Sequence, residues 1–185
     1  HDAVDVSRQN NFRADVRVPL ECQNDLGNFP KGFDRGHLAS SATFDNTIDV
    51  NSETFMATNL VPQRLELNRG LWRRLEQAER DLSDKFGLLN VITGPLFLEK
   101  EKLVENGILL PNSFYKIIYI ESLAIAFSFL LPNEQRLKRS LDSYVVSIDE
   151  VESLTGLDFL SNLSSPGSGL EDSVREWKEL EILLN

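Results

Sequence analysis

Asp34-Arg35-Gly36-His37, followed further along by Leu67-Asn68-Arg69-Gly70-Leu71-Trp72-Arg73-Arg74-Leu75-Glu76, are the two segments that decide how this chain reads. Phe33 to Ala39 has the composition of a short strand, on which Arg35 and His37, two residues apart, share one face. From Leu67 to Phe86, the residues Leu71, Leu75, Ala78, Leu82 and Phe86 recur at the helical period and predict an amphipathic helix. Asn68 stands at the N-terminal end of that stripe. Glu76 and Arg80 follow it roughly two and three turns on, forming a polar row beside the apolar seam. Arg73, Arg74, Gln77, Asp81, Asp84 and Lys85 cover the solvated side.

The rest of the chain is arranged around this pair. The stretch up to Lys31 is polar, with turn signals at Asn24-Asp25, Gly27-Asn28 and Pro30-Lys31-Gly32. Ser40–Ser52 reads as a loop, and Glu53–Leu60 as a second short strand closed by Val61-Pro62, where proline cannot donate to a ladder. After Gly87 the apolar runs Leu88–Thr93, Leu109–Pro111, Phe114–Ile120 and Leu123–Leu131 read as strands. Lys116 and Glu121, with β-type composition around them, argue against a membrane-spanning helix over Phe114–Leu131. No turn residue separates Glu121 from Leu123, so either one strand runs on or a loop is missing. Tyr144–Ile148 reads as a further strand, Asp149–Thr155 as a short helix ended by Gly156, Ser164–Gly169 as a loop and Leu170–Leu184 as a terminal helix. With no repeat and no linker, the expectation is one α+β domain over residues 1–185, a mainly antiparallel sheet flanked by helices; 41% hydrophobic residues suffice for its core.

The chemistry follows from a neutral imidazole and a hard amide oxygen brought to one place. Such a pair suits phosphodiester hydrolysis, which needs a base for water and a cation to bear charge on the phosphate and leaving oxygen. Each residue also has an ordinary reading: His37 as a backbone hydrogen-bonder, Asn68 as a helix N-cap, Glu76 and Arg80 as a surface pair, and Arg8 as a solvated charge. Cys22 is the only cysteine, which rules out an internal disulfide and a cysteine metal site. The net charge of −10 argues against a surface that coats nucleic acid. Residues 1–80, however, carry 10 Lys+Arg against 12 Asp+Glu, and every base there except Lys31 is arginine, the residue suited to bidentate phosphate contact. The acidity belongs to the scaffold and leaves room for a local phosphate site, with modest, salt-sensitive affinity indifferent to sequence.

In order along the chain, Arg8-Gln9-Asn10-Asn11-Phe12-Arg13-Ala14-Asp15, Gly32-Phe33-Asp34-Arg35-Gly36-His37-Leu38-Ala39, Thr54-Phe55-Met56-Ala57-Thr58-Asn59-Leu60-Val61-Pro62-Gln63, the Asn68 helix, Thr93-Gly94-Pro95-Leu96 and Val145 to Gly156 resemble the DNA/RNA non-specific endonucleases. These are ββα-metal, or His-Me finger, enzymes that include sugar-non-specific bacterial nucleases and endonuclease G. The resemblance implies His37 as general base, Asn68 as sole protein ligand of Mg²⁺ (with Mn²⁺ a substitute), and Glu76 as the acid that holds water on the metal. It further implies Arg8, Arg35 and Arg80 as phosphate-binding arginines and Asn59 and Gln63 as supports. Arg13, Arg69 and Arg73 are outlying candidates for nucleic-acid contact.

The expected partners are DNA and RNA, with a proteinaceous inhibitor a further candidate and no membrane insertion. Family members carry a strand region before the segment matching Arg8, and few residues precede it here. The chain shows no signal peptide, and only the resemblance favours a secreted or periplasmic protein. Two other roles compete: a non-catalytic nuclease fold that binds nucleic acid or protein, and a nuclease toxin or effector held by an inhibitor. Oligomeric state has no signature in the sequence.

Overall fold

The computed structural model describes residues 6–98, 103–161 and 170–185. The Ser164–Gly169 loop lies outside them. Strand β1 (Phe33–His37) pairs antiparallel with β2 (Leu60–Arg64), in a register that sets Asp34 opposite Gln63, Gly36 opposite Val61 and His37 opposite Leu60. Helix α1 (Ile48–Glu53) lies between them in sequence. After β2 the chain turns into α2 (Leu65–Leu67), passes through a π-helical turn over Asn68–Trp72, where Gly70 departs from helical geometry, and continues as α3 (Arg73–Phe86).

Strands β3 (Leu89–Leu96), β6 (Ser113–Ile120) and β7 (Ile125–Pro132) form an antiparallel sheet in the order β3-β6-β7. A small hairpin, β4 (Leu103–Glu105) with β5 (Ile108–Leu110), separates β3 from β6. Helices α4 (Ile148–Thr155) and α5 (Trp177–Leu184) complete the described elements. The fold is thus mixed, with helices around a mainly antiparallel sheet, as the sequence predicts. The two faces of β6 enter different cores. Phe114, Ile118 and Ile120 pack with Trp72, Leu75 and Leu82 of the long helix and with Trp177 and Leu180. Tyr115, Ile117 and Tyr119 pack with Ile148 and Val151 of α4. Burial on both faces explains why Phe114–Leu131 is almost continuously apolar without spanning a membrane. No helix among the described residues is long and apolar enough to cross one.

Several elements depart from the sequence expectation, each for a local reason. Ser40–Ser52 is not all loop: Thr47 accepts a hydrogen bond from Val50 N–H and caps α1, while buried Asn51 donates to the carbonyls of Ser41 and Phe44. This capped turn displaces the strand expected over Glu53–Leu60: apart from one parallel bridge between Met56 and Arg13, pairing begins at Leu60. The strand then runs through Pro62, which a two-stranded ribbon tolerates because each strand has an unpaired edge. Between β6 and β7 the reversal is made by a 3₁₀ turn ending at Ala124 with φ of 52°, which needs no glycine or proline. Tyr144–Ile148 is not a strand: a 3₁₀ turn over Leu141–Tyr144 leads to one bridge from Val145 to Phe129, and the Ser147 cap opens α4. The terminal helix begins at Trp177, not Leu170, because Glu176 and Glu179 form a capping box there.

Gly36 is where the ribbon is tightest. A β-carbon at this position would stand 2.5 Å from Gln63 Oε1 and 2.6 Å from its Cβ, and Gln63 is 1% exposed. Gly36→Ala should therefore cost about 1–3 kcal/mol through overpacking, visible as a lowered melting temperature. An unchanged melting temperature would mean that Gln63 can move aside.

Candidate active site

His37 ends β1 in a closed setting. Its residue is 9% exposed, the ring meets Phe55 edge-on at 5.0 Å, and Phe12 lies at 6.3 Å. The imidazole is hydrogen-bonded to the backbone of Arg35, and its Nε2 is buried with no hydrogen-bond partner among the described residues. Burial, then the charge of Arg8, push the pKa down to about 4. Trp72 Nε1–H donates to the His37 carbonyl at 3.3 Å and ties the strand to the long helix.

A second seam joins the same two elements at Asp34. Its carboxylate accepts Asn68 Nδ2–H at 2.8 Å and takes both Nε and an Nη of Arg69, at 2.8 and 2.7 Å. Burial alone would raise the Asp34 pKa, but the bonds from Arg69 and Asn68 and the charge of Arg69 outweigh it and hold the group below its usual range. A carboxylate can only accept, so the Asn68 amide must turn its NH₂ toward Asp34, which leaves Oδ1 for another partner. Asn68 is not an N-cap: the helical run begins before it, and its side chain caps nothing.

Arg8, Arg35, Asn68 and Arg69 line one cavity of about 500 Å³ with Phe12, Phe29, Pro30, Phe33 and Asp34. Arg8 and Phe12 belong both to this cavity and to the surroundings of the imidazole. Arg8 donates to Ser41 Oγ and lies over the Phe55 ring at 4.8 Å; burial lowers its pKa and the charge of Glu76 partly restores it. Arg35 donates to the Leu26 carbonyl at 2.8 Å and lies over Phe12 and Phe29.

Glu76 is held up to about 7, chiefly by burial, with Glu79 adding to the shift and Lys116, Arg80 and a Ser40 hydrogen bond opposing it. Glu79 itself is ion-paired with Lys116, which is 1% exposed and stands 4.8 Å from the Trp72 ring centroid. Asn59 is a support: it accepts Ala39 N–H at 2.9 Å and donates to the carbonyls of Ala39 and Thr54, pinning the chain just past His37. Gln63 packs on Gly36 with both amide atoms buried and without partners among the described residues.

The other sequence candidates stand apart from the cavity lining. Arg80 donates to Gln77 and reaches Glu76 through its charge, with one Nη buried and lacking a partner among the described residues. Arg13 is spent on the carbonyls of Ser52 and Asn11, which places it in the scaffold of α1. Arg73 is exposed. A group of three carboxylates, Glu152, Asp158 and Glu171, also has ligand-like spacing, but it lies beside α4 and not in this cavity. Sequence reasoning assigned no role to Asp34, although it stands inside the motif quoted for its neighbours. Ser41 and the Lys116–Glu79 pair were missed as well; the one signal for the pair was a lysine in an otherwise apolar strand.

The family model for DNA/RNA non-specific endonuclease matches residues 1–165. A nuclease of Nostoc sp. is 34% identical over 172 residues, covering 85% of this chain and 62% of the relative, and the mitochondrial nuclease of Saccharomyces cerevisiae is 31% identical over 187 residues, covering 87% and 56%. The chain thus spans less than two thirds of these relatives. Among solved structures, a chain from a crystal structure of an EndoG/EndoGI complex, concerned with the mechanism of EndoG inhibition, superposes with a TM-score of 0.74 at 27% identity, over 89% of this chain and 74% of that one. The chain belongs to the DNA/RNA non-specific endonuclease family.

Proposed function

We propose that this protein is a Mg²⁺-dependent endonuclease that hydrolyses the phosphodiester bonds of DNA and RNA to 5′-phosphate ends, with Mn²⁺ as a substitute. The observation that carries this reading is a buried, neutral His37 whose Nε2 has no hydrogen-bond partner among the described residues, beside a cavity on which Arg8, Arg35 and Asn68 converge. His37 accepts the proton of the attacking water at Nε2. Arg8 and Arg35 bind the phosphate oxygens, and contacts confined to phosphate carry no sequence information. Glu76 and Ser41 hold Arg8 in place, and Asn59 holds the turn that follows the base.

The residues present fit a hard cation. The Asp34 clamp engages the Asn68 NH₂ and not its amide oxygen, Asn68 lines the cavity, and Mg²⁺ keeps most of its waters, so that one protein oxygen suffices. Bound there, the cation would supply Lewis-acid charge at the phosphate and leaving oxygen. The likeness to EndoG in an EndoG/EndoGI complex supports a proteinaceous inhibitor as a partner.

His37→Ala should lower turnover roughly 10²–10⁴-fold with the far-UV spectrum unchanged; near wild-type cleavage would remove His37 from the mechanism. The pH profile follows from the two shifted groups. A ring held down at about 4 is neutral from pH 5 upward, so the His37 limb of kcat/KM falls near pH 4 and not near the ordinary imidazole value. Glu76, held up to about 7, adds a second limb that Glu76→Gln should abolish. A limb near 6.5 surviving in Glu76→Gln would contradict the assignment. Asn68→Ala should raise the Mg²⁺ concentration for half-maximal activity about tenfold or more, since it removes the proposed protein ligand; unchanged metal dependence would exclude Asn68 as that ligand.

A further inference from the structure

The cavity holds more than a phosphate requires. About 500 Å³ falls within the roughly 300–1,000 Å³ of small-molecule sites, and a large part of the lining carries no charge. Phe12, Phe29 and Phe33 are only half-buried, and none of them belongs to either packed core. Their neighbours are guanidinium groups. Arg35 lies over Phe12 and Phe29 at 5.1 and 5.6 Å, and Arg64 lies over Phe33 at 3.9 Å. The cavity wall thus sets aromatic rings beside the Arg35 guanidinium, the two kinds of flat side chain on which unstacked nucleobases lie.

Position along the strand matters as much as composition. Phe33 stands two residues before Arg35 on the same face of β1, roughly 7 Å along the strand at the usual rise. That separation is of the order of the reach from a phosphate to the base of its own nucleotide. A phosphate held by Arg8 and Arg35 would place its base toward Phe29 and Phe33. A base inside a duplex is stacked and paired, and could reach those rings only by being flipped out at an energetic cost.

We propose that Phe29 and Phe33 form a nucleobase subsite beside the phosphate-binding arginines, making unpaired nucleotides of single-stranded nucleic acid the favoured substrate. The subsite rests on the nuclease reading and refines it: the chemistry at phosphorus is indifferent to the base, while affinity depends on a base being free to stack. Recognition by ring faces leaves base identity almost unread, because every base presents a π-face.

The test is binding, measured by fluorescence anisotropy in EDTA with the wild-type chain, so that it does not depend on cleavage. Oligodeoxythymidine is compared with the same backbone bearing abasic residues, equal in length and charge, and with a blunt duplex of half the length, matched in phosphate number. Oligodeoxythymidine should bind about tenfold more tightly than the abasic strand, the scale of one stacked base. Phe29→Leu and Phe33→Leu, which keep the sites apolar, should shrink that ratio towards one while leaving abasic-strand affinity unchanged. Equal affinity of the wild type for base-bearing and abasic strands would overturn the subsite, whatever the variants do. A ratio that persists in both folded leucine variants would overturn it too. Cleavage is read separately with Mg²⁺: a wild type that binds with the expected ratio but cuts nothing would refute the nuclease reading and leave the subsite standing.

Discussion

The site depends on one carboxylate. Asp34 reaches from β1 to the long helix and accepts hydrogen bonds from Asn68 and Arg69 at once, so the strand carrying His37 and the helical run carrying Asn68 are locked in relative position. The Trp72 bond to the His37 carbonyl repeats the link further along. Because Asp34 is held below the usual carboxylate range, it is ionised and the clamp stays closed throughout neutral pH. The contribution of its ion pair is present above its ordinary pKa and is lost only as pH falls through the lowered value.

Around this seam the fold sets apart groups that would otherwise neutralise one another. Lys116 is ion-paired with Glu79 and stands 4.8 Å from the Trp72 ring centroid, and its charge helps to restrain Glu76. Glu76 in turn sustains the charge of Arg8, and Arg8 discourages a proton on His37. The imidazole thus stays neutral, with no carboxylate partner among the described residues. The acidic scaffold, at −10 overall, leaves the arginines of the cavity as a local exception. Such a contrast favours brief contact with a polyanion over wrapping of it.

Elements with strong periodicity were legible in the sequence. The stripe Leu71, Leu75, Ala78 and Leu82 is buried along its length, with Phe86 half-buried at its end. The strands after Gly87, except the one expected over Tyr144–Ile148, lie close to their expected places because β-branched and aromatic runs bounded by turns have few alternatives. What was illegible was settled by side-chain bonds with no periodicity. Asn51 and Thr47 built a helix inside a polar stretch, and the Glu176–Glu179 box delayed the last helix. Of the site, His37, Asn68, Arg8 and Arg35 could be named from motif and order. Asp34 could not, because its role appears only when strand and helix are brought together. Arg13 shows the opposite failure: a charge suited to phosphate is taken up by backbone carbonyls that only the folded chain presents.

Burial and the charge of Arg8 keep the His37 ring uncharged. NMR titration of its ring protons, distinguished from those of His1 by comparison with a His37→Asn variant, reads this state. A midpoint near pH 4 is expected, with the ring neutral at every pH from 5 upward. A midpoint near the ordinary value of about 6.5 would show a solvated imidazole and contradict it.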